Sequence, residues 1–83
     1  MNWGYRLSDR ALKNLKRFPK LDQKRVFEAL EAMKINPFQG DLKPIQGEEN
    51  IYRRRIGAYR IYFRPLYEQH VLDIPEIERK QSH

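Results

Sequence analysis

Thirteen residues in the second half of the chain, YRRRIGAYRIYFR (52–64), hold five arginines and no acid, with aromatic and branched residues threaded between them. A guanidinium group is planar, stays charged and offers paired N–H donors, so a group of them suits a phosphate or a carboxylate. Spacing decides which of the five act together. In an extended chain successive side chains alternate between faces. Ile51, Arg53 and Arg55 then share one face, and Tyr52, Arg54 and Ile56 take the other. Beyond Gly57-Ala58, Arg60, Tyr62 and Arg64 oppose Tyr59, Ile61 and Phe63. If the apolar set is covered, Arg60 and Tyr62 point outward, and a tight turn sets Arg53 and Arg55 beside them. The expected product is a cationic patch studded with aromatic rings. Arg54 breaks the pattern: either its stem snorkels to the sheet edge or a bulge shifts the register. Tyr62 either stacks on a nucleobase or serves strand packing. Lys43 and Lys80 either attract phosphate nonspecifically or form ordinary solvated surface.

The elements that must position these residues are legible in outline. Trp3, Tyr5 and Leu7 alternate with small or polar residues, which suits a short strand. Ser8 has the chemistry of an N-cap, with Asp9 in the first turn of a helix whose apolar stripe is Leu12, Leu15 and Phe18. Pro19 ends it. A second helix is predicted over Leu21 to Ile35, with Val26, Ala29, Leu30 and Met33 at helical spacing, until Asn36-Pro37 stops it. Gly40, Pro44 and Gly47 predict a loop from Phe38 to Asn50, with a brief extended piece around Lys43 to Gln46. Ile51 to Ile56 and Tyr59 to Arg64 flank Gly57-Ala58, whose leading glycine suits a type II′ turn. Pro65 to Gln69 turn the chain again. A last strand follows from His70 to about Ile77, with Leu72 and Ile74 on one face, and Pro75 predicts that its distal end leaves the ladder. The order is β-α-α-β-β-β. This is an α+β pattern with an N-terminal strand and a helical hairpin packed on one face of a small antiparallel sheet.

Composition sets the bounds. Eighty-three residues make one small domain, 1–83, with a single modest core. Seventeen basic against eleven acidic residues, a net charge of +6, favour an anionic partner such as nucleic acid. There is no cysteine, which excludes disulfides, and two histidines without thiols make a structural zinc site implausible, so no metal or other cofactor is expected. The first residues lack an apolar run of signal-peptide length, and no apolar window approaches the ~20 residues of a spanning helix. A soluble, cytoplasmic protein without a membrane partner is expected.

The run GDLKPIQG, the strand pair YRRRIGAYRIYF and the closing IPEIERK resemble the RelE/ParE superfamily of toxins, in particular its RelE-like mRNA interferases. The likeness covers nearly the whole chain, including the helical hairpin that ends in Asn36-Pro37. It implies a RelE-like fold and a toxin that cleaves mRNA without metal, in many members within the ribosomal A site. It also implies a cognate RelB-like antitoxin that holds the toxin inactive in a hetero-oligomer. Carried over by position, Arg53 and Arg55 match the basic residues of the second strand, Arg60 the arginine after the hairpin, and Arg79 the arginine after the last strand. In such a nuclease the ribose 2′-OH attacks the adjacent phosphate in line, and fixed cations stabilise the developing charge. The likeness therefore places Arg60 on the transition-state phosphate, Arg79 on phosphate or the leaving 5′-oxygen, and Arg53 with Arg55 on backbone positioning.

The likeness departs from the family pattern in KQSH, where relatives generally reach a tyrosine that stacks on a base and shares in proton transfer. Three readings are open. His83 serves as general acid or base, for which an imidazole is suited; the sequence is shortened; or the protein binds RNA or ribosomes without efficient cutting. A further alternative is the ParE-like branch, which inhibits DNA gyrase without catalysis.

Overall fold

In the computed structural model, which describes residues 2–80, the chain runs β1 (Gly4–Leu7), α1 (Asp9–Arg17), α2 (Lys20–Ile35), β2 (Leu42–Pro44), β3 (Tyr52–Ile56), β4 (Tyr59–Leu66) and β5 (Val71–Arg79). The helices form where the sequence predicts them. Ser8 caps α1, its Oγ accepting from the Ala11 N–H at 3.0 Å, and Asp9 opposes the positive helix end while Lys16 and Arg17 occupy the last turn. Pro19 has no N–H, and α2 begins directly after it. The Gln23 side chain donates to the carbonyls of Phe18 at 2.8 Å and Lys16 at 3.3 Å, which closes the tight link between the helices.

The helices cover one face of a five-stranded sheet of order β1-β5-β4-β3-β2. Ala11 and Leu15 of α1 and Val26, Leu30 and Met33 of α2 are buried against Tyr59, Ile61, Phe63, Leu72, Ile74 and Ile77. Each of the larger side chains contributes roughly 1.5–3 kcal/mol by leaving water. The predicted α+β architecture holds, with two additions. The extended piece around Lys43 is the edge strand β2, three residues long and antiparallel to β3. The sheet is mostly antiparallel, but β1 pairs parallel to β5, Gly4 to Leu7 against Val71 to Ile74.

The hairpin turn is as expected: Gly57 takes φ 56° and Ala58 stays out of the left-handed region, as a type II′ turn requires. Register then runs unbroken from Tyr52↔Phe63 to Ile56↔Tyr59, so no bulge rescues Arg54. It lies on the helix face opposite Ile61 and snorkels, donating to the Gln39 carbonyl. Gly40, at φ 91°, passes under its guanidinium, where a Cβ would come within 2.7 Å of Arg54 Cζ.

Two expectations about β4 and β5 are overturned. β4 continues through Pro65 to Leu66 instead of turning at Pro65. Its partner β3 has already ended there, and Asn50 Nδ2 donates to the Pro65 carbonyl at 2.8 Å in place of a ladder bond. β5 does not leave the sheet at Pro75 but stays paired with β4 as far as Tyr59↔Arg79. Proline is absorbed by a bulge: Tyr62 pairs with Glu76 and Arg64 with Asp73, so Ile74 and Pro75 together oppose Phe63. Ser8 fastens the bulge, its N–H donating to the Ile74 carbonyl at 3.0 Å and its Oγ to that of Pro75 at 2.7 Å. The extra residue reverses the alternation of β5 beyond it. Leu72 before the bulge, Ile74 within it and Ile77 after it are all buried under the helices.

Candidate functional site

The uncovered face of the sheet gathers the cations in two rows. Cross-strand partners share a face, so register alone aligns Lys43, Arg53, Tyr62 and Glu76 across β2, β3, β4 and β5. The next row, nearer the hairpin turn, is Arg55, Arg60 and Glu78. Arg55 and Arg60 are directly opposed like charges, an arrangement that costs stability unless an anion or a carboxylate compensates it. The Lys80 N–H donates to the Ala58 carbonyl at 2.7 Å and brings the end of β5 against the turn. Arg55, Gly57, Ala58, Arg60 and Lys80 thereby line a recess of about 260 Å³. Three cations thus border a space with room for a phosphate group.

The carboxylates of this face are arranged differently from one another. Asp73 pairs with Arg6 at 3.3 Å and Glu76 with Arg10 at 3.0 Å. Among the described residues no ion pair joins Arg53, Arg55, Arg60 or Lys80 to an acid. The Nε–H groups of Arg53 and Arg60 are buried without a hydrogen-bond partner among those residues, their stems pressed into the face. Glu78 accepts instead from the Tyr62 hydroxyl at 2.7 Å. Burial pushes the Tyr62 phenol above its ordinary value; the hydrogen bond to Glu78 adds to this, while the Arg60 guanidinium, bonded to the same hydroxyl, opposes it. A larger cleft of about 470 Å³ adjoins the face, walled by Tyr62, Ile45, Ile51, Pro75 and Arg64 among others. It is bigger than the recess but is not where the cations meet. No group of three or more His, Asp or Glu side chains among the described residues is placed to hold a metal ion.

Of the residues singled out in the sequence, Arg55 and Arg60 meet at the recess, and Arg53, Tyr62 and Lys43 form the row beside it. Lys80 joins Arg55 and Arg60 directly. Arg79 does not. Its partner is Tyr59, on the helix face, because the bulge at Ile74-Pro75 sends even-numbered residues of β5 to the open side beyond that point. An unbroken alternation from Leu72 and Ile74 would have carried Arg79 to the cations and hidden Lys80. His83 lies outside the described residues. Glu78 was missed by the sequence reading, although the spacing Glu76-x-Glu78-x-Lys80 marks three residues of one strand face once the strand is extended past Pro75.

Residues 5–81 match the family described as the ParE toxin of the parDE type II toxin-antitoxin system. The chain is 31% identical over 85 residues to RelE1 of Methanocaldococcus jannaschii, covering 99% of this chain and 94% of that one. Its fold is similar to that in the RelBE2 toxin-antitoxin complex of Mycobacterium tuberculosis, with TM-score 0.85, 20% identity, and 96% and 100% of the two chains covered. It is similar also to the archaeal RelE-RelB complex of Pyrococcus horikoshii, with TM-score 0.83, 20% identity and both chains fully covered. The isolated RelE toxin of E. coli gives TM-score 0.83 at 16% identity, covering 98% of this chain and 87% of that one.

Proposed function

The chain belongs to the RelE/ParE superfamily of type II toxin-antitoxin toxins, and from that premise we propose that it is an endoribonuclease acting on mRNA in the ribosomal A site. The observation that carries this reading is the recess where Arg55, Arg60 and Lys80 converge with no ion-paired carboxylate among the described residues. A phosphodiester seated there has its non-bridging oxygens facing fixed cations. The ribose 2′-oxygen attacks the phosphorus, the P–O5′ bond breaks, and a 2′,3′-cyclic phosphate and a 5′-hydroxyl result. Charge accumulates on the phosphoryl oxygens in the transition state, where preorganised donors in a partly water-excluded site are most effective. Arg60 is the residue best set for this role: it is half-buried, opposed by Arg55 and bonded to Tyr62. Arg53 and Lys43, one row away, hold the adjoining backbone.

A RelB-like antitoxin is the proposed partner, as the complexes of the M. tuberculosis and P. horikoshii relatives suggest. An antitoxin helix or strand would silence the protein by occupying or distorting the basic face. No helix among the described residues is long and apolar enough to cross a membrane; a cytoplasmic site of action accords with the proposed substrate.

Primer-extension mapping of mRNA on translating ribosomes tests the reading. The protein should create new 5′ ends at codon-related positions. Arg60→Ala should slow their appearance by roughly 10²–10³-fold, the usual cost of one oxyanion donor, with the circular dichroism spectrum unchanged. No new ends, together with inhibition of gyrase supercoiling, would establish the noncatalytic ParE-like activity instead.

A further inference from the structure

We infer that Glu78 is the general base of this site, receiving the proton of the attacking 2′-hydroxyl, and that Tyr62 positions it. The inference rests on the nuclease reading. Glu78 does not itself line the recess, but among the described residues it is the carboxylate whose strand pairing sets it beside one of the lining cations. It stands directly across from Arg60, with Cβ atoms about 5 Å apart in such a pair, and one same-face step of about 7 Å from Lys80. Two of the three recess cations are thus its immediate neighbours.

A carboxylate beside a phosphate site is a liability for binding, because it repels the ligand that the cations attract. On the same face Asp73 and Glu76 escape that objection, being paired with Arg6 and Arg10. Glu78 is held by a neutral donor, the Tyr62 hydroxyl at 2.7 Å. That bond occupies one carboxylate oxygen, Oε1, and fixes the group's orientation. The groups facing it are Arg60 and Tyr62 from β4, with Glu76 on its own strand and Lys80 just past that strand's end; α1 approaches through Asn14, which donates to the Ile77 carbonyl at 3.2 Å. β1 ends at Leu7↔Ile74 and does not reach it. The step balances without further reactants. The 2′-hydroxyl proton passes to a Glu78 oxygen as the 2′-O–P bond forms and the P–O5′ bond breaks, water protonates the leaving 5′-oxygen, and Glu78 returns its proton to solvent.

Glu78→Gln separates this role from a structural one. It keeps the acceptor for Tyr62 but removes the base and one negative charge. Single-turnover cleavage on mRNA-programmed ribosomes should fall about 10²–10⁴-fold, the range of general-base catalysis, and the pH profile of the rate should change shape. Binding of an uncleavable 2′-O-methylated RNA oligonucleotide should be unchanged or tighter. Tyr62→Phe should lower the rate less and keep the pH dependence. A Glu78→Gln protein that cleaves at the wild-type rate with the wild-type pH profile overturns the inference and leaves the nuclease reading standing. So does one that loses RNA binding and thermal stability together, since a structural role predicts that. Failure of the wild-type protein to cleave at all would overturn the nuclease reading first.

Discussion

If the open face is where RNA lies, charge removed from that face must change salt dependence, and the same charge removed elsewhere must not. Five cations of that face line the recess or the row beside it: Lys43 and Arg53 in one row, Arg55 and Arg60 in the next, and Lys80 just past β5; Arg64 and Arg6, on the same face, flank Asp73 away from them. For a single strand the logarithm of affinity falls with the logarithm of salt by about 0.7 per neutralised phosphate, so five contacts set a slope near −3.5. A rise from 50 to 200 mM salt, a factor of four, should then weaken binding about 100-fold. Replacing Arg60 or Lys80 by Gln should bring the slope to about −2.8, one contact fewer. Arg54→Gln lowers the net charge of +6 by the same single unit, but Arg54 lies on the helix face with its guanidinium on the Gln39 carbonyl. Its slope should match wild type. Fluorescence anisotropy with a labelled, 2′-O-methylated RNA measures each slope without cleavage. The reasoning is refuted if Arg54→Gln flattens the slope as much as Lys80→Gln. It is also refuted if Arg79→Gln does so while Lys80→Gln does not, for that would restore the arrangement that the β5 bulge rules out.

Two further expectations concern stability. Tyr59 is almost wholly buried and donates to Asp22 at 2.5 Å; burial first, then that bond and the carboxylate charge, raise its pKa, against the opposing charges of Arg79 and Arg25. A phenol held protonated by the fold stabilises fully below about pH 10 and loses that contribution as pH climbs through its raised folded value. Tyr59→Phe should therefore cost about 1 kcal/mol near pH 8 and show a shallower loss of stability above pH 10 in urea titrations; an equally steep loss would show that Tyr59 does not drive it. Gly40→Ala should lower the melting temperature by about 4–16 °C, from about 1–2 kcal/mol at 4–8 °C per kcal/mol, because alanine resists φ 91°. The guanidinium it meets is the yielding end of a long side chain, so the cost should persist in an Arg54→Ala background; its disappearance there would place the cause in the contact rather than the backbone.

The parts of the site governed by local rules were legible in advance. A period of two and a leading glycine were enough to put Arg53, Arg55, Arg60 and Tyr62 on one face, since nothing interrupts the register of β3 and β4. Helix ends were legible through Ser8 and Pro19 because caps and proline act within a few residues. What escaped depends on distant partners. Pro75 was visible as a disturbance, but whether it ends a strand or sits in a bulge is decided by Phe63 opposite and by Ser8, which takes up the carbonyls of both bulge residues. One inserted residue was enough to exchange Arg79 for Lys80 and bring Glu78 into view. The parallel pairing of Gly4–Leu7 with Val71–Ile74 joins segments 67 residues apart, and no local pattern encodes it.

That pairing has a consequence for how the molecule comes into being. β5 follows the other four strands in the chain yet lies inside the sheet, with β1 on one side and β4 on the other. A growing chain on its ribosome can close the helix hairpin and the β3–β4 hairpin, but the first strand has no mate until residues 71–79 emerge. Nor does the recess have its third wall, for Lys80 follows them. Contacts of such sequence separation form late and slowly. A fragment that stops short of residue 80 therefore lacks both the closed sheet and the recess on which the proposed activity depends.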